Sequence, residues 1–162
     1  MKVALGSGDD KLITGDTLGG AAKKDAIDGG EGADHVTAVF TTAGTRQPVM
    51  TNVEEMTVTF NAAATVDFHD TSDLETINVL SSPDFRMSFR NMDSTVSEIN
   101  VFGDQASNQA HRLFFDKGGD VAVNWKSEVA SDTDAGELIF QDVQGVNFAH
   151  SGDFDTFFSD VT

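Results

Sequence analysis

The residues with most to say about chemistry stand in one short run, Gly29-Gly30-Glu31-Gly32-Ala33-Asp34-His35-Val36-Thr37. It carries the pattern Gly-Gly-x-Gly-x-Asp-x-apolar-x in full. Glycines let the backbone turn with its carbonyls pointing inward, the aspartate adds a hard carboxylate, and the apolar residue plugs a core. Hard oxygen donors of this kind suit calcium. Stepping back by nine residues gives Asp25 with Ile27 and then Asp16 with Leu18, in the same register as Asp34 with Val36. Further upstream, Gly6-Ser7-Gly8-Asp9-Asp10-Lys11-Leu12 is a second, partial copy, shifted out of that nine-residue register.

Other chemistry is poorly provided for. The chain has no cysteine, which removes disulfides, thiolate metal sites and thiol nucleophiles. His35, His69, His111 and His150 share no metal-ligand spacing, and His69-Asp70 alone hints at an oriented imidazole. No Gly-x-Ser-x-Gly turn occurs. Arg86, Arg90 and Arg112 are the only clustered candidates for the basic residue of a polysaccharide lyase, and a stripe of solvating charge explains them equally well. Asp132-Thr133-Asp134-Ala135-Gly136-Glu137, and Asp153 with Asp155, read as solvated turns rather than further cation loops. We therefore expect no enzyme.

The balance of 27 acidic against 10 basic side chains, a formal charge of -17, repels phosphate backbones and anionic lipid. Nucleic acid is not an expected partner, and no run of about 18 apolar residues is present to insert into a membrane. Such a charge opposes compaction unless the acids are spread over a large surface or neutralised by cations. The opening Met1-Lys2-Val3-Ala4-Leu5-Gly6 lacks the roughly 7–15-residue apolar stretch of a signal peptide. A complete small protein needing no such leader is the expectation.

The elements that must position the glycine run are strands. Val, Ile, Thr and Phe alternate in short runs divided by Gly, Asp, Asn and Ser, and no apolar period of 3.6 residues is sustained. The chain also repeats itself. Leu74-Glu75-Thr76-Ile77-Asn78-Val79 matches Val96-Ser97-Glu98-Ile99-Asn100-Val101 and Val143-Gln144-Gly145-Val146-Asn147-Phe148, with Val123-Asn124-Trp125 between and Val53-Glu54-Glu55-Met56-Thr57-Val58 upstream. A second series ends in Phe68, Phe89, Phe115 and Phe140. Two strands per period of about 22–25 residues is what a parallel β-solenoid needs, because each coil buries its apolar side chains only against itself and its neighbours. Ile77, Ile99, Val123 and Val146 are expected in one interior row and the four phenylalanines in another. Asn78, Asn100, Asn124 and Asn147 either stack as an amide ladder or simply face solvent. An antiparallel sandwich with chance similarity between strands is the competing architecture.

The glycine run and its partial copies, over about residues 5–37, resemble the repeats-in-toxin (RTX) family, whose nonapeptides form a parallel β-roll with calcium between turns. The resemblance implies Ca2+ held by Asp34 with Gly30 and Gly32, and by Asp10, Asp16 and Asp25 with Gly6 and Gly8. From Val53 onward, the recurring apolar-Glu-x-apolar-x-Val motif is similar to repeat regions of bacterial surface-layer proteins and of bacteriophage virion surface proteins. The expected architecture is all-β, a right-handed parallel β-solenoid with calcium-binding turns at its amino-terminal end. Residues 1–50 would form the RTX-like segment and 51–162 the continuing coils of one domain. The implied role is a non-catalytic structural protein at a virion surface or extracellular cell surface, assembling with copies of itself or other coat proteins. The alternatives are an adhesin for a glycan or receptor and, third, a calcium-dependent polysaccharide lyase.

Overall fold

The computed structural model describes residues 2–16, 18–20, 25–80, 87–93, 95–103, 112–127 and 137–151, and among them there is no helix. The strands are β1 (Lys2–Ser7), β2 (Lys11–Thr14), β3 (Ala26–Glu31), β4 (His35–Phe40), β5 (Gly44–Arg46), β6 (Val49–Thr51) and β7 (Glu55–Phe60). They continue as β8 (Ala64–Asp67), β9 (Asp70–Thr71), β10 (Thr76–Leu80), β11 (Met87–Met92), β12 (Glu98–Gly103), β13 (Arg112–Ser127) and β14 (Glu137–Ser151). Every ladder between these strands is parallel. The chain is a β-solenoid: it winds, and each strand lies on the equivalent strand one coil earlier.

Three faces result. The long face stacks β2, β4, β7, β10, β12 and the second half of β13, on which β14 lies. A second face stacks β5, β8, β11 and the first half of β13. The third is the short series β1, β3, β6 and β9. Early coils therefore carry a third strand that the repeat alone does not announce, because β6 and β9 are only three and two residues long. Coils differ in length, with His35 stacked on Glu55 but Arg112 on Glu137, and the ladders run without a break across residue 50.

Alternation decides what is buried. β4 and β10 bury every second residue, and the inward ones line up in columns. Val36, Met56, Ile77, Ile99 and Val123 form one, and Ala38, Val58, Val79 and Val101 form the next, all essentially inaccessible. Val146 departs from the expected row: it lies opposite Val121, while Val123 meets Phe148 and Asn124 meets Ala149. The offset set by Arg112 on Glu137 returns after bulges near Gly119, which let one long strand turn a corner, and it overrides the local Val-Asn similarity.

The phenylalanine row is also partly rearranged. Phe89, Phe115 and Phe140 are in register, but Val66, not Phe68, lies opposite Phe89. Phe68 sits past the end of β8 at the corner and reaches back, its ring stacked on Phe89 at 6.2 Å between centroids. Phe89 meets Phe60 edge-on at 5.8 Å, and Phe60 meets Phe40 at 5.5 Å, so one aromatic chain crosses the interior.

Outside, Thr57, Asn78, Asn100 and Asn124 share a column. The Asn124 amide donates to the Asn100 carbonyl oxygen at 2.9 Å, and Asn100 donates to Asn78 at 3.1 Å. Asn124 also donates to Glu98, and Asn78 to Glu55. An amide has both a donor and an acceptor end, so identical residues satisfy one another along the axis.

Two outcomes follow from this packing. Phe89→Ala should cost about 3–5 kcal/mol in chemical denaturation, because it empties a fully enclosed position between two rings. Asn100→Asp removes the donor to Asn78 and sets oxygen against oxygen, and should cost about 1–3 kcal/mol in the same measurement at neutral pH.

Candidate cation site at a glycine corner

The corner between β3 and β4 is built from the complete glycine run. Gly6 pairs with Gly30 and the two turns superpose 24 residues apart, so the copy that is out of step in nine-residue counting stacks directly when counted by the coil. Gly30 and Gly32 adopt φ of 99° and 132°, where side-chain-bearing residues are strained. A β-carbon on Gly30 would stand 1.8 Å from the Gly6 carbonyl oxygen, and one on Gly32 2.4 Å from that of Gly8. Only glycine permits this stacking.

Hydrogen bonds lock the turns together. Gly8 N–H donates to the Glu31 carbonyl, Ala33 N–H to the Asp9 carboxylate, and His35 N–H to the Asp10 carbonyl. Asp10 N–H donates to Asp34 Oδ1 at 3.0 Å. Asp34 is 1 % exposed, and its other oxygen, Oδ2, has no hydrogen-bond partner among the described residues. A buried carboxylate oxygen without a donor is costly unless a cation meets it.

The next coils shorten this corner. Asn52, at φ 52°, and Asp73, at φ 69°, take the left-handed conformation that glycine supplies below. The Asp34 carbonyl receives the N–H groups of Glu54 and Glu55, and the Glu54 carboxylate receives Asp34 N–H at 2.7 Å. Glu75 repeats the arrangement one coil on, its N–H donating to the Glu54 carbonyl. Ser72 donates to Asp73 and holds that carboxylate below its ordinary range, helped by Asn52 N–H.

Thus the structure gathers Gly6, Gly8, Asp10, Gly30, Gly32 and Asp34 at one corner. It places Asp16 and Asp25 elsewhere. Asp25 precedes β3, at the opposite end of that strand from Gly30, and it accepts the Gly19 N–H instead. Asp16 belongs to a clip over the second face. The Thr41 hydroxyl, the N–H groups of Thr41 and Thr42, and the Arg46 guanidinium at 3.5 Å all donate to it. Arg46 is itself directed inward, in register with Val66, and lies 5.4 Å from the Phe40 ring centroid. Leu18 is buried in the core, and Gly20 bridges Arg46 in antiparallel sense, so residues 18–20 run along β5. Nothing local in the sequence announces a pair 30 residues apart.

A cation at the glycine corner would draw on one or two carboxylates and main-chain carbonyls. No group of three or more His, Cys, Asp or Glu suited to a metal occurs among the described residues. That donor set matches a hard ion such as calcium and not zinc. The open oxygen of Asp34 fits such an ion. The loop at 132–136, Asp153 and Asp155 lie outside the described residues.

Shallow grooves mark the surface among the described residues. One, of about 250 Å³, is lined by Gly44, Thr45, Ala63, Ala64, Thr65, Ser88 and Arg90, with Thr45, Thr65 and Ser88 in one column. Another, of about 440 Å³, is lined by Ser97, Asp120, Val121, Ala122, Val146 and Asn147. Among the described residues neither lining contains a histidine or a lysine. Comparison with known protein families, curated proteins and solved structures gives no match.

The clip at Asp16 carries a pH signature. The Thr41 hydroxyl, then the main-chain donors and Arg46, outweigh desolvation and hold its pKa down to about 2. A carboxyl with a depressed folded pKa contributes stability above its unfolded value of about 3.9 and loses that contribution as pH falls through the folded value. The melting temperature of Asp16→Asn should therefore lie below wild type by a constant amount from pH 5 to 7. The gap should close as pH falls from 4 toward 2.

Proposed function

We propose that this chain is a non-catalytic structural element of a surface coat, either a virion decoration or fibre protein or a component of a cell-surface layer. One observation carries the reading: an uninterrupted parallel stack with an apolar interior and an outer amide column already satisfied by its own neighbours. Such a rod resists bending and offers proteases little loose backbone. Calcium, bound at the Asp34 corner, stiffens its amino-terminal coils and offsets part of the charge of -17.

Assembly is supported by two edge strands: among the described residues β1 and β2 each pair on one side only, and Ile13 on β2 is 71 % exposed. Open parallel edges recruit neighbours. Copies of the same chain or other coat proteins are the proposed partners. An adhesin is the second reading, favoured by the groove in which Thr45 and Thr65 stand in one column beside Arg90. A glycan array in calcium buffer would reveal it.

For the coat reading, light scattering should show mass rising with calcium and salt, as carboxylates are neutralised and screened. A monomer under all conditions, with no binding to a capsid, tail or envelope fraction, would remove its support. A ligand at 100 times its Kd adds about 2.7 kcal/mol, so chelation should lower Tm by roughly 5–10 °C.

A further inference from the structure

We infer that the calcium ion sits between the second and third coils, at Gly29, and that the main-chain carbonyl of Asn52 is one of its ligands. This rests on the calcium reading and places the ion away from the two stacked glycine turns. Asp34 divides its carboxylate between two neighbours. Oδ1 is already occupied by Asp10 N–H from the first coil. Oδ2, the oxygen without a donor, lies toward Gly29 and the third coil.

Gly29 defines the cradle. The point where its β-carbon would stand is 2.5 Å from Asp34 Oδ2 and 1.7 Å from the Asn52 carbonyl oxygen. The missing side chain lets the Asn52 carbonyl come in beside Asp34 Oδ2, so two oxygens from successive coils face one another next to Gly29. Asn52 is fixed there by its left-handed φ of 52°, by its side chain donating to Asp28 at 2.8 Å, and by its N–H donating to Asp73. Asp28, Glu54 and Asp73 surround the place with negative charge. One carboxylate, one carbonyl and water form a hard, oxygen-only set, and the remaining positions of a calcium shell are open to solvent. The ion would clamp the glycine-rich coil onto the first coil that lacks glycines at this corner.

The test uses the full chain with calcium alone, read by titration calorimetry and by amide hydrogen exchange. The expected result is one ion bound, with added protection centred on 52–55. Asp34→Asn should weaken binding by about tenfold or more, and Asp10→Asn by less. In chelator, Asp34→Asn should melt no lower than wild type, since an amide turned toward Asn52 donates where the carboxylate cannot. Protection centred on 8–10, with binding lost in Asp10→Asn, would put the ion between the first and second coils and overturn this placement while sparing the calcium reading. No binding by the wild-type chain would overturn both. The exchange pattern of the wild type decides the placement even if a variant fails to fold.

Discussion

The structure depends on the main-chain ladder between successive coils. Each coil alone is a loop with a half-exposed apolar side, and it becomes a layer of a protein only when its N–H and C=O groups meet those of the coils on either side. The corner carbonyls make this visible: Asp10 receives His35, Asp34 receives Glu54 and Glu55, Glu54 receives Glu75 and Thr76, and Glu75 receives Ser97 and Glu98. Because the strands are parallel, like residues lie on like. Columns of valine and isoleucine inside and asparagine outside follow from that condition, as does the demand for glycine where two turns approach face to face.

Stacking like on like rewards some side chains and penalises others. An apolar column gains from every neighbour, and an amide column is self-satisfying, but a carboxylate column repels itself. The chain meets that difficulty in several ways. Glu55 and Glu98 on the long face receive hydrogen bonds from the amide column, Asp16 is neutralised by Arg46, and Asp67 accepts from Gln47 and Asn91 across the second face. At the β3–β4 corner the described residues offer Asp34 Oδ2 no such partner.

Much of the fold was legible because a solenoid writes its geometry into the period. The row Ile77, Ile99 and Val123 was readable, since apolar residues flanking an asparagine recur, and so was the alignment of Phe89 with Phe115 and Phe140. Strands of two and three residues are too short to alternate visibly, which hid the third face. Val146 was misplaced because local similarity favoured one offset while the long ladder of β13 on β14 imposed another. At the candidate site, glycine spacing marked Asp34 and Gly30. Counting by nine joined Asp16 and Asp25 to them, whereas the coil returns after 24 residues. The Asn52 carbonyl had no signature beyond an asparagine able to adopt positive φ, because a main-chain oxygen belongs to every residue type alike.

Residues 18–20 run against the sense of every strand they accompany: Gly20 bridges Arg46 antiparallel, and the Gln47 N–H donates to the Gly19 carbonyl. A reversed segment presents its N–H and C=O groups in a different pattern from a parallel strand. Laid along β5, it interrupts the rule that each strand rests on its own equivalent, so the parallel series on this face cannot be carried past β5 in its own register. The segment works as a stop written into the winding.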